Sequence, residues 1–142
     1  MTIAYRTGDL FTAQSGILAH ACNVYGVWGG GIAAAFKEKF PLAYREYAQH
    51  CRNHTTPQLL GTCYLIDAKP YKIACLFTND GNTLNEVAEY TGHAVRDLAR
   101  QLPPNTVVKM PQINAGIFGV PWEITEKELR HTNVPIEVYK LS

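Results

Sequence analysis

The sequence predicts a single α/β domain: a mixed six-stranded sheet flanked by helices in three α/β/α layers. Three observations lead there. The chain has 142 residues, 46% hydrophobic and 18% charged, which is about one domain's length and apolar enough to bury a core. Short β-branched or aromatic runs alternate with segments of helical spacing. Glycine-bearing segments stand where strands give way to helices, and open α/β sheets bind ligands beyond those strand ends.

The elements follow in order. Ile3–Arg6 and Gly16–Cys22 have the length and content of strands. Gly31–Lys39 is Ala-rich and carries Ile32 and Phe36 one helical turn apart. Pro41 suits the first turn of a second helix, Leu42–Arg52, which sets Tyr44, Tyr47, Ala48 and Cys51 on one face. The strands Thr62–Asp67 and Lys72–Thr78 are separated only by Ala68-Lys69-Pro70-Tyr71. So short a connection predicts an antiparallel pair, and hence a mixed sheet. Thr83 and Glu86 form a capping box. Val87, Ala94, Val95, Leu98 and Leu102 continue at helical spacing until Pro103-Pro104 stops the helix. Thr106–Met110 is a fifth strand, Pro121 opens a helix running to about His131, and Ile136–Leu141 is the last strand. The chain shows no repeat, low-complexity segment or linker, so one domain over residues 1–142 is expected.

Composition excludes several functions. A net charge of +1 argues against a binder of nucleic-acid polymers that works by bulk electrostatics. No apolar run approaches the ~18 residues of a membrane span. The N-terminus MTIAYRTGDLF lacks the apolar stretch of a signal peptide, which predicts a cytoplasmic or nuclear chain. Cys22, Cys51, Cys63 and Cys75 form no C-x-x-C pair and read as small buried hydrophobes. Their spacing supplies no zinc cluster, and neither a metal nor a cofactor is expected.

Three strand ends carry unusual sequence. The first is Gly8-Asp9-Leu10. Its aspartate suits an amino group such as adenine offers, or equally an Asx turn or helix cap. The second runs from His20 through Cys22, Asn23 and Trp28 into Gly29-Gly30-Gly31-Ile32. Glycines leave backbone N–H groups open to an anion, and the helix start adds unpaired donors and a positive dipole end. The third is Met110 to Trp122, holding Asn114-Ala115-Gly116-Ile117-Phe118-Gly119. Two such loops on one small domain suit a ligand with adjacent phosphates, and Phe118 could cover a sugar.

The segments G-D-L-F, A-H-A-C-N-x-x-G-x-W-G-G-G-I-A and M-P-Q-I-N-A-G-I-F-G-V-P-W resemble those of macrodomains. Within that family they are most similar to the fungal ADP-ribose 1″-phosphate phosphatase branch. The resemblance covers nearly the whole chain. It implies that ADP-ribose or its 1″-phosphate is the ligand, with mono-ADP-ribosylated proteins as further partners. It also implies that Asp9 and the Leu10 backbone meet adenine and that Asn23 meets the distal ribose. Trp28, Gly29, Gly30, Gly31 and Ile32 would line one side of the diphosphate. Asn114, Ala115, Gly116, Ile117, Phe118 and Gly119 would line the other, with Phe118 against the distal ribose. Macrodomains that cleave ADP-ribose from carboxylates often carry an aspartate where Ala33 or Ala34 stands here. A second group works through a lysine where this chain reads Thr78-Asn79-Asp80. Both mechanisms therefore lack their residue in this sequence.

For hydrolysis, His20 is the expected general acid–base group, because an imidazole titrates near neutrality. Asn23 would orient the ribose, and Asp80 would activate water. A nucleophilic Cys22 or Cys75 would need a depressed pKa, and nothing nearby in the sequence argues for one. The alternative is a module that binds ADP-ribose without turning it over.

Overall fold

The computed structural model describes residues 3–141; Met1, Thr2 and Ser142, at the ends of the expected domain, lie outside the described residues. The elements, in chain order, are β1 (Ile3–Thr7), a 3-10 turn (Leu10–Thr12), β2 (Gly16–Asn23), α1 (Gly31–Lys39), α2 (Pro41–Arg52), α3 (Thr56–Leu59), β3 (Cys63–Ala68), β4 (Tyr71–Asn79), α4 (Leu84–Arg100), β5 (Val108–Pro111), α5 (Trp122–His131) and β6 (Ile136–Lys140).

The strands form one six-stranded sheet in the order β1-β6-β5-β2-β4-β3. All neighbours run parallel except β3 and β4, which pair antiparallel from Cys63↔Leu76 to Ala68↔Tyr71. The mixed sheet expected from the short connection is the one observed.

Strand periodicity sorts side chains onto two cores. On one face Ile17 and Ala19 of β2 pack with Leu76, Val95, Leu98 and Leu129, beneath α4 and α5. On the other, Leu18 and Cys22 pack with Ile73, Phe77, Phe36 and Tyr47, beneath α1 and α2. Ile73 to Thr78 of β4 are buried throughout, as expected of a strand covered on both sides.

Helix ends follow local chemistry. Pro41 stands in the first turn of α2. The box at the start of α4 is formed, with Thr83 Oγ1 accepting from Glu86 N–H and the Glu86 carboxylate accepting from Thr83 N–H. Glu86 is held below the ordinary carboxylate range by that backbone N–H and the Thr83 hydroxyl. Two short elements were not read from the sequence. α3 is a single turn with its own box between Thr55 and Gln58, and the 3-10 turn is capped by Asp9.

Candidate functional site

β2 and β5 are neighbours in the sheet, yet their chains leave toward opposite faces, β2 toward α1 and β5 toward α5. Such a divergence opens a crevice beyond the strand ends. Here it is a cleft of about 410 Å³ between the loop after β2 and the loop after β5.

The first loop is shaped by Asn23. Its amide donates to Val27 O (2.8 Å) and accepts from Tyr25 N–H (2.9 Å) and the Tyr47 hydroxyl (2.9 Å). The Tyr44 hydroxyl donates to Gly26 O at 2.9 Å. Trp28 is 1% exposed and stacks on Tyr47, with ring centroids 4.9 Å apart. These contacts fix the approach to Gly29-Gly30-Gly31.

Gly30 has φ −160°, an extended conformation open to any residue. A Cβ there would stand 2.7 Å from Ile117 Cδ1, the tip of an exposed side chain that would have to swing away from the cleft. Gly31 has φ 57°, in the left-handed region. The first helical bond recorded across the α1 start runs from Ala34 N–H to Gly30 O. Helix geometry therefore leaves the N–H groups of Gly31, Ile32 and Ala33 without intrahelical partners, and all three residues line the cleft. No side chain caps this end.

The second loop is shaped by Asn114, at φ 65° and 5% exposed. Its Oδ1 accepts from the Thr78 hydroxyl (3.1 Å) and its Nδ2 donates to Thr91 Oγ1 (2.8 Å) and Thr125 Oγ1 (3.4 Å). Val120 N–H closes the loop on Asn114 O at 2.8 Å, and a turn from Gly116 O to Gly119 N–H shapes its tip. Gly116, Ile117 and Phe118 face the cleft. Ile117 is 75% exposed and overhangs Gly30.

The structure gathers Asn23, Trp28, Gly29, Gly30, Gly31, Ile32, Asn114, Gly116, Ile117 and Phe118 around one cleft. The remaining expected residues are placed differently. His20 is 0% exposed and absent from the cleft wall. Alternation along β2 points it, like Leu18 and Cys22, under α1. There its ring stacks on Phe36 with centroids 4.2 Å apart. The structure therefore places the ring in the core under α1, behind the cleft wall and not on it. Asn114 is a loop anchor, because its amide is committed to three threonines. Ala115 and Gly119 are exposed but lie outside the wall. Asp9 is exposed and accepts from Phe11 N–H at 3.0 Å. It therefore acts as a cap with a carboxylate still open to solvent, while the Leu10 side chain is buried in the core. Asp80 is half-buried outside the wall, and its loop is tied to the first loop by the Tyr25 hydroxyl, which donates to Asp80 O.

Cys22 was passed over in the sequence. Among the described residues lining the cleft it is the only one with an ionisable side chain. The pairing of β2 with β4 sets Cys75 opposite His20, a neighbour that linear spacing conceals. Ligand atoms of His20, Cys22 and Cys75 lie within 4.8 Å of one another. Cys22 Sγ stands 3.8 Å and 3.7 Å from the two nitrogens of His20. The near-equal distances favour neither nitrogen as its partner. Burial pushes the Cys22 thiol up. The neighbouring Cys75, His20 and Trp28 side chains together outweigh it and pull the thiol down. Cys75, buried beside it, is pushed up.

The Macro domain family model matches residues 19–129, which span both loops. The chain belongs to the Macro domain family. Two curated relatives of this macrodomain are both named ADP-ribose 1″-phosphate phosphatase. One, from Lodderomyces elongisporus, is 48% identical, with the alignment covering 91% of each chain. The other, from Candida albicans, is 45% identical over 96% of this chain and 98% of its own. Among solved structures, the macrodomain of Mycobacterium tuberculosis DarG superposes with a TM-score of 0.78 at 24% identity, over 99% of both chains. A Trypanosoma brucei macrodomain solved in complex with ADP-ribose gives 0.71 at 20% identity, over 98% of this chain and 63% of its own. These likenesses concern the fold. No helix among the described residues is long and apolar enough to cross a membrane.

Proposed function

We propose that this macrodomain binds ADP-ribose derivatives in the cleft between its two loops and hydrolyses ADP-ribose 1″-phosphate to ADP-ribose and phosphate. The observation that carries the reading is the end-to-end identity with the two fungal phosphatases, 48% and 45%. The cleft supports it chemically. Unpartnered N–H groups at the start of α1 and the bare backbone of Gly116 suit the two adjacent phosphates.

In this reading Phe118 lies against the distal ribose. Asn23 offers it the Nδ2 hydrogen not directed at Val27, and Asp9 takes the adenine amino group with its solvent-facing oxygen. Water attacks phosphorus, the bond from phosphorus to O1″ breaks, and the loop amides hold the charge that develops. Asp80, whose loop is tied to the first loop through the Tyr25 hydroxyl, is the residue we assign to activate that water. His20 supports α1 and Cys22 from below.

One observation favours a second reading, binding without turnover. Among the described residues the cleft wall carries no acidic, basic or imidazole side chain. A panel of ADP-ribose 1″-phosphate, a mono-ADP-ribosylated protein and O-acetyl-ADP-ribose, with product detection, separates the two. Phosphate release from the first supports the phosphatase. Release of ADP-ribose from the second alone moves the activity to protein-linked substrates. Tight ADP-ribose binding with no product from any of the three establishes a reader.

A further inference from the structure

We propose that Cys22 is the reactive thiol of this chain: a modification site at the floor of the cleft, open to small electrophiles and peroxides through the cleft and shielded when the cleft is filled. Four observations converge on its sulfur. Cys22 lines the cleft, whereas Cys51, Cys63 and Cys75 do not. Cys75 lies beside it across the β2–β4 ladder. The His20 ring faces it. The Trp28 Nε1–H is buried in the same core as Cys22 and has no hydrogen-bond acceptor of its own.

An unpaired buried N–H is costly unless it meets negative charge, and a thiolate or a sulfenate oxygen would supply that charge. The same donors that hold the thiol down therefore remain useful after oxidation. Cys75 is buried away from the cleft wall, so Cys22 is the thiol of the pair that an electrophile in the cleft reaches.

The chemistry is a two-electron substitution. With a peroxide, the Cys22 sulfur attacks one oxygen and the O–O bond breaks. Hydroxide departs and is protonated to water, leaving sulfenic acid; sulfur is oxidised and the peroxide reduced. With iodoacetamide, an S–C bond forms and iodide leaves. Cys75 does not complete a disulfide. Cys22 pairs with Phe77 and Cys75 with His20, so the two thiols are diagonal on neighbouring strands, and bridging them requires backbone movement. The adduct therefore stays on Cys22, where its bulk presses on Trp28 and on the Asn23 turn that carries the glycines. Modified protein should lose its ligand affinity.

The test treats native wild-type protein with limiting iodoacetamide at mildly acidic pH and maps the adducts by peptide mass. Exposure alone ranks Cys51 (8%) and Cys63 (7%) ahead of Cys22 (2%). The proposal expects the opposite order, with Cys22 labelled about tenfold faster or more. Labelling first at Cys51 or Cys63, or at all four thiols together, overturns it. A second arm adds saturating ADP-ribose, with binding measured separately by calorimetry. Bound ligand should suppress labelling at Cys22 and leave the slow labelling elsewhere unchanged; undiminished labelling of the complex overturns the placement at the cleft floor. This arm rests on the ligand reading above. If calorimetry shows no binding, that reading fails, and the order of thiol reactivity still decides the proposal.

Discussion

At Asn114 the backbone stands at φ 65° and the amide joins Thr78, Thr91 and Thr125. Replacing it with alanine leaves buried hydroxyls without partners and puts a Cβ-bearing residue of low tolerance in the left-handed region. Asn114→Ala should therefore cost about 2–3 kcal/mol in urea unfolding; a loss under about 0.5 kcal/mol would mean the network is not holding the second loop. Asp9 carries a different expectation. Its carboxylate caps a turn and, in the account above, meets adenine. Asp9→Ala should then weaken ADP-ribose more than ribose 5-phosphate, which has no adenine, and equal losses by calorimetry would make Asp9 structural only. Residue identity told the chemistry of these positions better than their orientation. The glycines, Ile117 and Phe118 were legible because their roles need only backbone or surface. His20 misled because the strand end was visible in the sequence while the face toward which it points was set by packing against Phe36. Cys22 was weighed as a nucleophile and set aside because its neighbour Cys75 arrives from another strand.

Helices and strands were easier to place where punctuation is chemical. Pro41, the Thr83–Glu86 box, Pro103-Pro104 and Pro121 each mark a boundary that the structure keeps to within a few residues. α3 was missed although Thr55 and Gln58 carry the same cap logic, because a single turn leaves no periodicity to read. β5 begins at Val108, since Thr106 N–H is drawn into a turn by Pro103 O. The box on α4 gives an element-scale prediction. Thr83→Ala should lower stability by about 1 kcal/mol, read as a shift of the unfolding midpoint; an unchanged midpoint would mean the cap is idle. The box also has a pH sign. Folding depresses the Glu86 pKa, so its contribution is present above the unfolded value and fades as pH falls through the folded one. α1 is the opposite case, a helix start with no side-chain cap. Its open end, a weakness in isolation, is what a phosphate would complete.

For the molecule as a whole, a chain with net charge +1 is proposed to hold a ligand with several negative charges. The cleft resolves this with dipoles: two loops of bare backbone and a helix end supply positive potential without one basic side chain in the wall. The sheet order makes that possible, because β2 and β5 become neighbours only through the crossovers that send α1 and α5 to opposite faces. Catalysis should therefore depend on the backbone cradle at Gly30. The direct measurement is phosphate released from ADP-ribose 1″-phosphate by wild-type protein and by Gly30→Glu, which fills the cradle against Ile117 and adds negative charge. Wild type should release phosphate steadily, with competitive inhibition by ADP-ribose, and a folded Gly30→Glu protein should lose about 100-fold or more in kcat/KM. Undiminished release by Gly30→Glu would contradict that dependence.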